Sequence, residues 1–300
     1  MIRRAVAHLN LAGALALGLL CVTAEGKAPE VRRATAVSDN ELTVAYETHD
    51  LEREDIAAPA TRAVSVVVED ARTGELLYEK NADAQRAAAS TQKLLTALIV
   101  AEEGFLDRNV KVQQTDTLAE PVRLNIKSGD TYQRIDLLRA LLVKSPNDVA
   151  RCLARDNAGS IELFAAKMNA KARALGATHS NFINPNGLPM PDQYSSARDL
   201  AIIARAAYAN PTIRSIVCLP QLVFRYANGR IRELENTNKV LKRLPYCNGM
   251  KTGYTEAAGH CLIASGTVPG RDIIVVVLGD SKAGVWQDAS ALLSWGLRRM

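Results

Sequence analysis

Apolar strand patterns at both ends of the chain most constrain what it can fold into. AVSVVVED at 63–70, a Gly-containing turn and LLYEK at 76–80 predict two strands joined as a hairpin. RDIIVVVLGD at 271–280 predicts a buried strand, and residues 250–266 predict two strands around a central turn. Because these strands enclose a long helical middle, we expect one antiparallel sheet with helices packed against it and a mostly helical insert.

Helical periodicity dominates the residues between the strands. Each pattern places apolar residues on one face, and glycine, proline or Ser/Asp-rich segments mark its ends. The predicted helices are 134–156 with a break at Ser145-Pro146-Asn147, 161–176, 195–210 and 288–300, and one further strand is predicted at 222–227.

The first 24 residues predict an export signal. MIRR is cationic, a mostly apolar stretch follows, and Val22-Thr23-Ala24 places small residues where a signal peptidase cleaves. The alternative is an uncleaved anchor, because the apolar stretch approaches the length that spans a bilayer. We expect any membrane association to run through this segment, with a polar arm at 25–60 and the folded domain at 61–300.

Charge and cysteine content exclude some functions. The formal net charge is +5, of which Arg3 and Arg4 in the predicted signal supply two units, and this is too small to indicate nucleic-acid binding. Cys152, Cys218, Cys247 and Cys261 follow the signal. Their spacing matches no metal-binding pattern, and the sequence does not choose between disulfides and buried free thiols.

The first residues with reactive potential lie in AAASTQKLLTALIV at 87–100, where Lys93 follows Ser90 by three positions. Positions i and i+3 share one face of a helix, so the two side chains can touch. A serine becomes a nucleophile when a base takes its proton, and a lysine amine can be that base if burial or a nearby cation lowers its pKa. Taken alone, the pair is more simply explained by an N-cap serine beside a surface lysine.

Two further motifs change that interpretation. Lys251-Thr252-Gly253 lies in a predicted edge strand, where glycine permits close backbone approach and the other two side chains suit a carboxylate. Ser145 and Asn147 flank a proline between two helices, and we expect this tight connection to expose both side chains. The Ser145 hydroxyl could relay a proton, and the Asn147 amide could hold the substrate or Lys93. Each motif alone fits an ordinary turn or helix boundary, but the three in this order are hard to obtain by chance.

The order S-x-x-K, S-x-N, K-T-G resembles that of serine β-lactamases and penicillin-binding proteins. From about residue 61 to 300 the chain is similar to the low-molecular-mass D-alanyl-D-alanine carboxypeptidases. This resemblance implies a β-lactamase-like (penicillin-binding transpeptidase-like) α+β fold. It also implies an exported, periplasmic or extracytoplasmic enzyme that removes D-alanine from peptidoglycan stem peptides and is inhibited by β-lactams. The segments that carry the resemblance are AAASTQKLLTA, LLVKSPNDVARCLA, MNAKARALGATHSNFINPNGL, SARDLA, NTNKVL and NGMKTGYTEAAGHCLIASG.

The resemblance also implies residue roles. Ser90 would attack the carbonyl between two D-alanines and form an acyl-enzyme, with Lys93 as general base and Ser145 as proton relay. Asn147 would orient the substrate. The backbone N–H groups of Ser90 and Tyr254 would form the oxyanion hole.

On the same resemblance, Lys251 and Thr252, followed by Gly253, would bind the terminal carboxylate, and Lys251 would help keep Lys93 neutral. No metal or organic cofactor is required. Many relatives carry an arginine before the final helix, where this chain has Val285 and Trp286. Carboxylate binding would therefore rely on Lys251 and on Arg198.

Three other functions compete with carboxypeptidase action. The first is D,D-endopeptidase cleavage of cross-links, which uses the same chemistry and is consistent with the expected lack of a C-terminal β-rich domain. A β-lactamase is disfavoured, because its deacylating E-x-x-L-N pattern should follow S-D-N, and the nearest match, 120–125, has one residue too many and precedes Ser145. A non-catalytic peptidoglycan-binding protein is disfavoured because all the expected reactive side chains are present.

Overall fold

The fold is described from a computed structural model, which covers residues 57–299. The strands are β1 (Ser65–Asp70), β2 (Leu76–Lys80), β3 (Asn109–Lys111), β4 (Thr131–Gln133), β5 (Gln221–Arg225), β6 (Ile231–Glu235), β7 (Cys247–Thr255), β8 (Gly259–Val268) and β9 (Arg271–Asp280). The helices are α1 (Lys93–Glu103), α2 (Arg134–Lys144), α3 (Asn147–Ala158), α4 (Ile161–Leu175), α5 (Ala197–Ala209), α6 (Pro211–Val217) and α7 (Gly284–Arg298). Short 3-10 helices lie at Ala89–Gln92, Gln114–Thr117 and Lys239–Lys242.

Five strands form one antiparallel sheet in the order β2-β1-β9-β8-β7. The first and last parts of the described chain therefore meet at the centre of the sheet, where β1 pairs with β9. Val66 and Val68 point to one face and Val67 to the other, and all three are buried. Both faces of the sheet are thus covered, and β7 is left at one edge.

Helices cover each face of the sheet. On one face, Leu292 and Leu293 of α7 join a buried cluster with Val275 and Val277 of β9. On the opposite face, Val276 belongs to a larger cluster with residues of α1, α2, α3 and α5. Burying an aliphatic side chain contributes about 1.5–3 kcal/mol, so the two clusters fix the sheet between its helical layers.

The hairpin, the antiparallel sheet, the helices at 134–156, 161–176 and 195–210, and the edge position of the K-T-G strand are confirmed. The last helix begins at Gly284 rather than at 288, so Val285 and Trp286 lie in its first turn. The strand predicted at 222–227 is confirmed as β5, whereas α6, the hairpin β3–β4 and the β6 partner of β5 were not predicted.

Several features of the terminal segments stay predictions. The proposed signal and nearly all of the arm fall outside the described residues, and the boundary at 61 stays a prediction. None of the described helices combines the length and hydrophobicity that crossing a membrane requires. The four described cysteines are all free, so no disulfide forms among them: Cys152, Cys218, Cys247 and Cys261.

Candidate active site

Ser90 lies in the 3-10 helix that leads directly into α1. Its neighbour Ala89 has a φ of +47°, a left-handed conformation that residues other than glycine rarely adopt. Gly187 packs on this turn so closely that a Cβ there would overlap the Ala89 carbonyl. The surrounding chain therefore holds Ser90 in a strained turn, an arrangement that is common at functional sites.

Lys93 points to Ser90 and is fully buried. Its Nζ lies 2.7 Å from Ser90 Oγ, 2.7 Å from Asn147 Oδ1 and 2.8 Å from the Asn186 carbonyl oxygen. A neutral amine has two N–H groups and one lone pair. Because the amide and carbonyl oxygens can only accept, they take both N–H groups, and the lone pair faces the Ser90 hydroxyl. This geometry suits a base that removes the serine proton.

Burial, followed by the positive charge of Lys251, holds the pKa of Lys93 well below its usual range, and the Asp148 carboxylate opposes this shift. Lys251 is also fully buried, and burial lowers its own pKa to about 7. The expected effect of Lys251 on Lys93 is therefore present in the electrostatics of the site. Burial and the nearby cation both shift Lys93 toward the deprotonated form that a base requires.

Ser145 and Asn147 meet this lysine from the junction of α2 and α3. Ser145 ends α2 in a left-handed conformation with a φ of +65°, and Asn147 begins α3. Both side chains are buried, in contrast to the exposure expected from a tight helix connection. The Ser145 hydroxyl has no hydrogen-bond partner among the described residues. A buried hydroxyl without a partner is poised to bond an incoming group.

The K-T-G residues lie on edge strand β7 and press against the Ser90 turn. A Cβ at Gly253 would lie 2.8 Å from the Ser90 backbone nitrogen, so only glycine allows this approach. Lys251 Nζ donates to the Thr252 carbonyl at 3.0 Å, and Thr252 Oγ1 donates to Thr237 Oγ1 at 2.7 Å. The exposed β7 edge can therefore receive an extended peptide next to the serine.

These elements surround a cavity of about 300 Å³ that Ser90, Ser145 and Thr252 share. Tyr254 lies at its rim with 57% of its surface exposed, and its ring stacks on His260 at 4.4 Å between centroids. The lining residues are Ser90, Pro121, Val122, Lys144, Ser145, Thr237, Thr252, Gly253, Tyr254, His260, Cys261, Val285 and Trp286. Within residues 57–299, no cluster of His, Cys, Asp and Glu side chains is arranged to hold a metal ion.

Arg198 is not brought to this cavity. It lies in the first turn of α5 and binds Glu79 of β2 at 2.6 Å and Asp83 at 2.7 Å. Strand β2 is the sheet edge opposite β7, so the two acidic partners hold this guanidinium far from the Ser90 cleft. A role for Arg198 in binding the carboxylate therefore has no geometric support.

Two residues with a place in the site were not assigned from the sequence. The Asn186 backbone carbonyl binds Lys93, and Thr237 binds Thr252. Their segments, NPNGL and NTNKVL, stood out only as parts of a resemblance. A backbone carbonyl carries no side-chain signal, so only tertiary structure could identify the first.

A family model described as D-alanyl-D-alanine carboxypeptidase matches residues 52–282. The chain belongs to this family. D-alanyl-D-alanine carboxypeptidase DacB2 of Mycobacterium tuberculosis is 35% identical over 80% of this chain and 84% of its own length. A D-alanyl-D-alanine endopeptidase of Escherichia coli is 30% identical over 79% and 78% of the two chains.

A crystal structure of D-alanyl-D-alanine carboxypeptidase from Mycobacterium tuberculosis has the same fold. Its TM-score is 0.76 at 35% identity, over 80% of this chain and 93% of that one. Some carboxypeptidase relatives are longer, and this chain spans 58% of DacF of Bacillus subtilis. The penicillin-binding α+β fold expected from the sequence is thus confirmed.

Proposed function

We propose that this D-alanyl-D-alanine carboxypeptidase family member removes the terminal D-alanine of peptidoglycan stem peptides through an acyl-enzyme on Ser90. The observation that carries this proposal is the buried Lys93 amine, 2.7 Å from Ser90 Oγ, whose other two partners can only accept hydrogen bonds. The Ser90 hydroxyl also lies 3.3 Å from the Asn186 carbonyl oxygen, but that oxygen is not a base, so Lys93 is the group placed to take the serine proton.

Acylation begins when Ser90 Oγ bonds to the carbonyl carbon of the penultimate D-alanine and its proton passes to Lys93 Nζ. The carbonyl oxygen becomes an oxyanion, which the N–H groups of Ser90 and Tyr254 stabilise. As this intermediate collapses, the C–N bond breaks and the leaving nitrogen takes a proton that Ser145 passes on from Lys93. Support for this relay comes from the buried Ser145 hydroxyl, which bonds to none of the described residues.

Deacylation repeats the proton transfers with water as the nucleophile. Lys93 takes a proton from water as the oxygen of that water bonds to the acyl carbon. When the Ser90 ester bond then breaks, the protonated Lys93 returns this proton to Ser90 Oγ, which restores the free enzyme. The products are a stem peptide shortened by one residue and free D-alanine. A β-lactam would acylate Ser90 by the same first step, since its ring amide replaces the peptide bond.

Substrate binding would use the cleft wall formed by β7. Asn147 would hold the substrate amide while its Oδ1 keeps Lys93 in place. Lys251 and Thr252 would hold the terminal carboxylate. Because the substrate is a cell-wall peptide, we place the site of action outside the cytoplasm, in agreement with the predicted export signal.

The decisive experiment is mass analysis of muropeptides incubated with the purified protein. We expect pentapeptides to lose one alanine and Ser90 to be labelled by a fluorescent penicillin. Ser90→Ala should abolish both, whereas Ser215→Ala, an exposed serine on α6, should change neither. Labelling that persists in Ser90→Ala would contradict the assignment of the nucleophile.

The second candidate is D,D-endopeptidase cleavage of cross-links. It is favoured by the E. coli endopeptidase relative, which aligns over most of its length, and by the open rim at Tyr254. The same incubation separates the two activities, because an endopeptidase splits muropeptide dimers and leaves pentapeptides intact.

β-Lactamase action has less support. Glu120, the nearest match to the deacylating glutamate of lactamases, is 67% exposed and pairs with Arg123 at 2.6 Å. A lactamase would hydrolyse penicillin with repeated turnover, whereas we expect a long-lived label.

A further inference from the structure

The first turn of α3 carries a buried carboxylate directly after Asn147. Asp148 has no exposed surface. Its Oδ1 accepts from the Leu124 N–H at 2.9 Å and from the Val149 N–H at 3.0 Å, and its Oδ2 accepts from the Asn125 N–H at 2.8 Å. Burying a carboxylate is costly unless the group is paired or hydrogen-bonded. Backbone N–H groups, and not a cation, thus hold this carboxylate inside the fold.

Asp148 and Asn147 together hold one wall of the cleft, the segment 121–126. The first two residues of this wall line the cavity. The Asn147 N–H donates to the Val122 carbonyl at 2.7 Å, while Asp148 accepts from two N–H groups further along the same segment. The Asn147 side chain also binds Lys93. These contacts therefore tie the position of the wall to that of the base.

The charge of Asp148 also acts on Lys93. Burial and the charge of Lys251 lower the pKa of Lys93, and the Asp148 carboxylate opposes them by raising it. A general base works best when its pKa lies near the operating pH, because a base with a much lower pKa removes protons slowly. Asp148 therefore keeps Lys93 from becoming too weak a base.

The other charged groups near Asp148 lie in solvent. Asp148 lines a second cavity, of about 240 Å³, whose other charged side chains are Arg123 and Lys127. Both are exposed, and Arg123 pairs with Glu120 at 2.6 Å. Solvent screens these two cations. Burial raises the pKa of Asp148 itself, and its bonds to backbone N–H groups of the wall oppose that shift.

We propose that Asp148 is a positioning residue of the active site, which holds the 121–126 wall against Asn147 and balances the charge of Lys251 at the general base. It acts through these groups and does not touch the substrate. This inference rests on the proposed function, because it concerns the base that activates Ser90 in that reaction.

The test is the pH profile of acylation by a fluorescent penicillin in Asp148→Asn. This variant keeps the size of the side chain and removes its charge, so the acidic limb of the profile should move to lower pH by about one unit. The rate on the plateau should fall about threefold, because a weaker base removes the serine proton more slowly. A purely structural role would lower stability and rate without moving the limb.

Hydrogen exchange tests the contact with the wall. In Asp148→Asn one carboxylate oxygen becomes an NH2 group, which cannot accept a hydrogen bond. The backbone N–H groups of Leu124 and Asn125 should then exchange about tenfold faster than in the wild type.

Asp116→Asn is the matched control. Asp116 is also buried, accepts from the Gln113 N–H at 2.8 Å and pairs with Arg155 of α3 at 2.7 Å. The charges that shift the pKa of Lys93 are those of Lys251 and Asp148. Asp116→Asn should therefore lower stability and leave the acidic limb in place. Asp148→Glu keeps the charge and should also leave the limb in place.

An acidic limb that keeps its wild-type position in Asp148→Asn would overturn the inference, and so would wild-type exchange at Leu124 and Asn125. Asp148→Ser, which is neutral and smaller, repeats both measurements in case Asp148→Asn does not fold. Failure of the proposed function would look different, because the wild-type protein would then not be labelled by penicillin at any pH.

Discussion

Replacing Gly253 by alanine tests whether the close contact of β7 with the Ser90 turn sets the catalytic geometry. A Cβ at this position would lie 2.8 Å from the Ser90 nitrogen and 3.0 Å from the Thr91 nitrogen, both of them backbone atoms. Ordinary contacts begin at 3.4 Å, so strand and turn must separate by about 0.6 Å. Misplacing reacting groups by 1 Å can reduce rates about a hundredfold, so we expect acylation to slow by about tenfold.

The assay is the second-order rate of acylation by a fluorescent penicillin, measured beside the midpoint of thermal unfolding. Gly266→Ala is the control, because a Cβ there would also be crowded, 3.0 Å from the Tyr246 carbonyl, but lies on β8 and not at the Ser90 turn. We expect Gly266→Ala to lower stability while acylation by the folded fraction is kept. Wild-type acylation in Gly253→Ala would refute the claim that this contact positions the nucleophile.

Two predictions follow from the charged groups. Burial and then the positive charge of Lys251 lower the pKa of Lys93, and Lys251→Met removes that charge. The pKa of Lys93 should therefore rise, and the acidic limb of the acylation pH profile should move to higher pH. A limb that stays in place would show that burial alone keeps Lys93 neutral. Burial raises the pKa of Glu69 from 4.5 to about 7, so its contribution to stability is full below pH 4.5 and is lost as pH rises through 7. In urea titrations at pH 8, the free energy of unfolding of Glu69→Gln should therefore exceed that of the wild type by up to about 3 kcal/mol. At pH 4 the two proteins should have similar free energies of unfolding. The same difference at both pH values would contradict this prediction.

Periodicity and motif order were sufficient to predict the sheet and the main helices. The apolar runs at 63–70 and 271–280 identified two strands of one antiparallel sheet. That they pair with each other at its centre became clear only from the structure. Lys93 could be recognised because burial or a nearby cation can make a lysine basic. The apolar helix that follows Lys93 predicts its burial, and the family resemblance implied Lys251 as the cation. The first is a property of residue type and spacing, which a sequence displays directly.

Arg198 shows where such reasoning fails. Arg198 was a candidate for carboxylate binding because this chain lacks the arginine that the family resemblance led us to expect before the final helix. The charge of a residue does not reveal which edge of the sheet its helix lies against. The pairing of Arg198 with Glu79 and Asp83 depends on strand order, which local patterns do not determine. Val285 and Trp286 were expected to replace the arginine of many relatives, and their place in the first turn of α7 became clear only from the fold.

The residues that sequence reasoning missed act through a backbone carbonyl or through a neighbouring side chain. The cleft nevertheless depends on them. Lys93 needs two obligate acceptors so that its lone pair faces Ser90, and one of them is the carbonyl of Asn186. That carbonyl belongs to the turn whose Gly187 packs on Ala89 and holds its left-handed conformation. One segment therefore both orients the base and shapes the turn of the nucleophile, so a disturbance there would affect the two together.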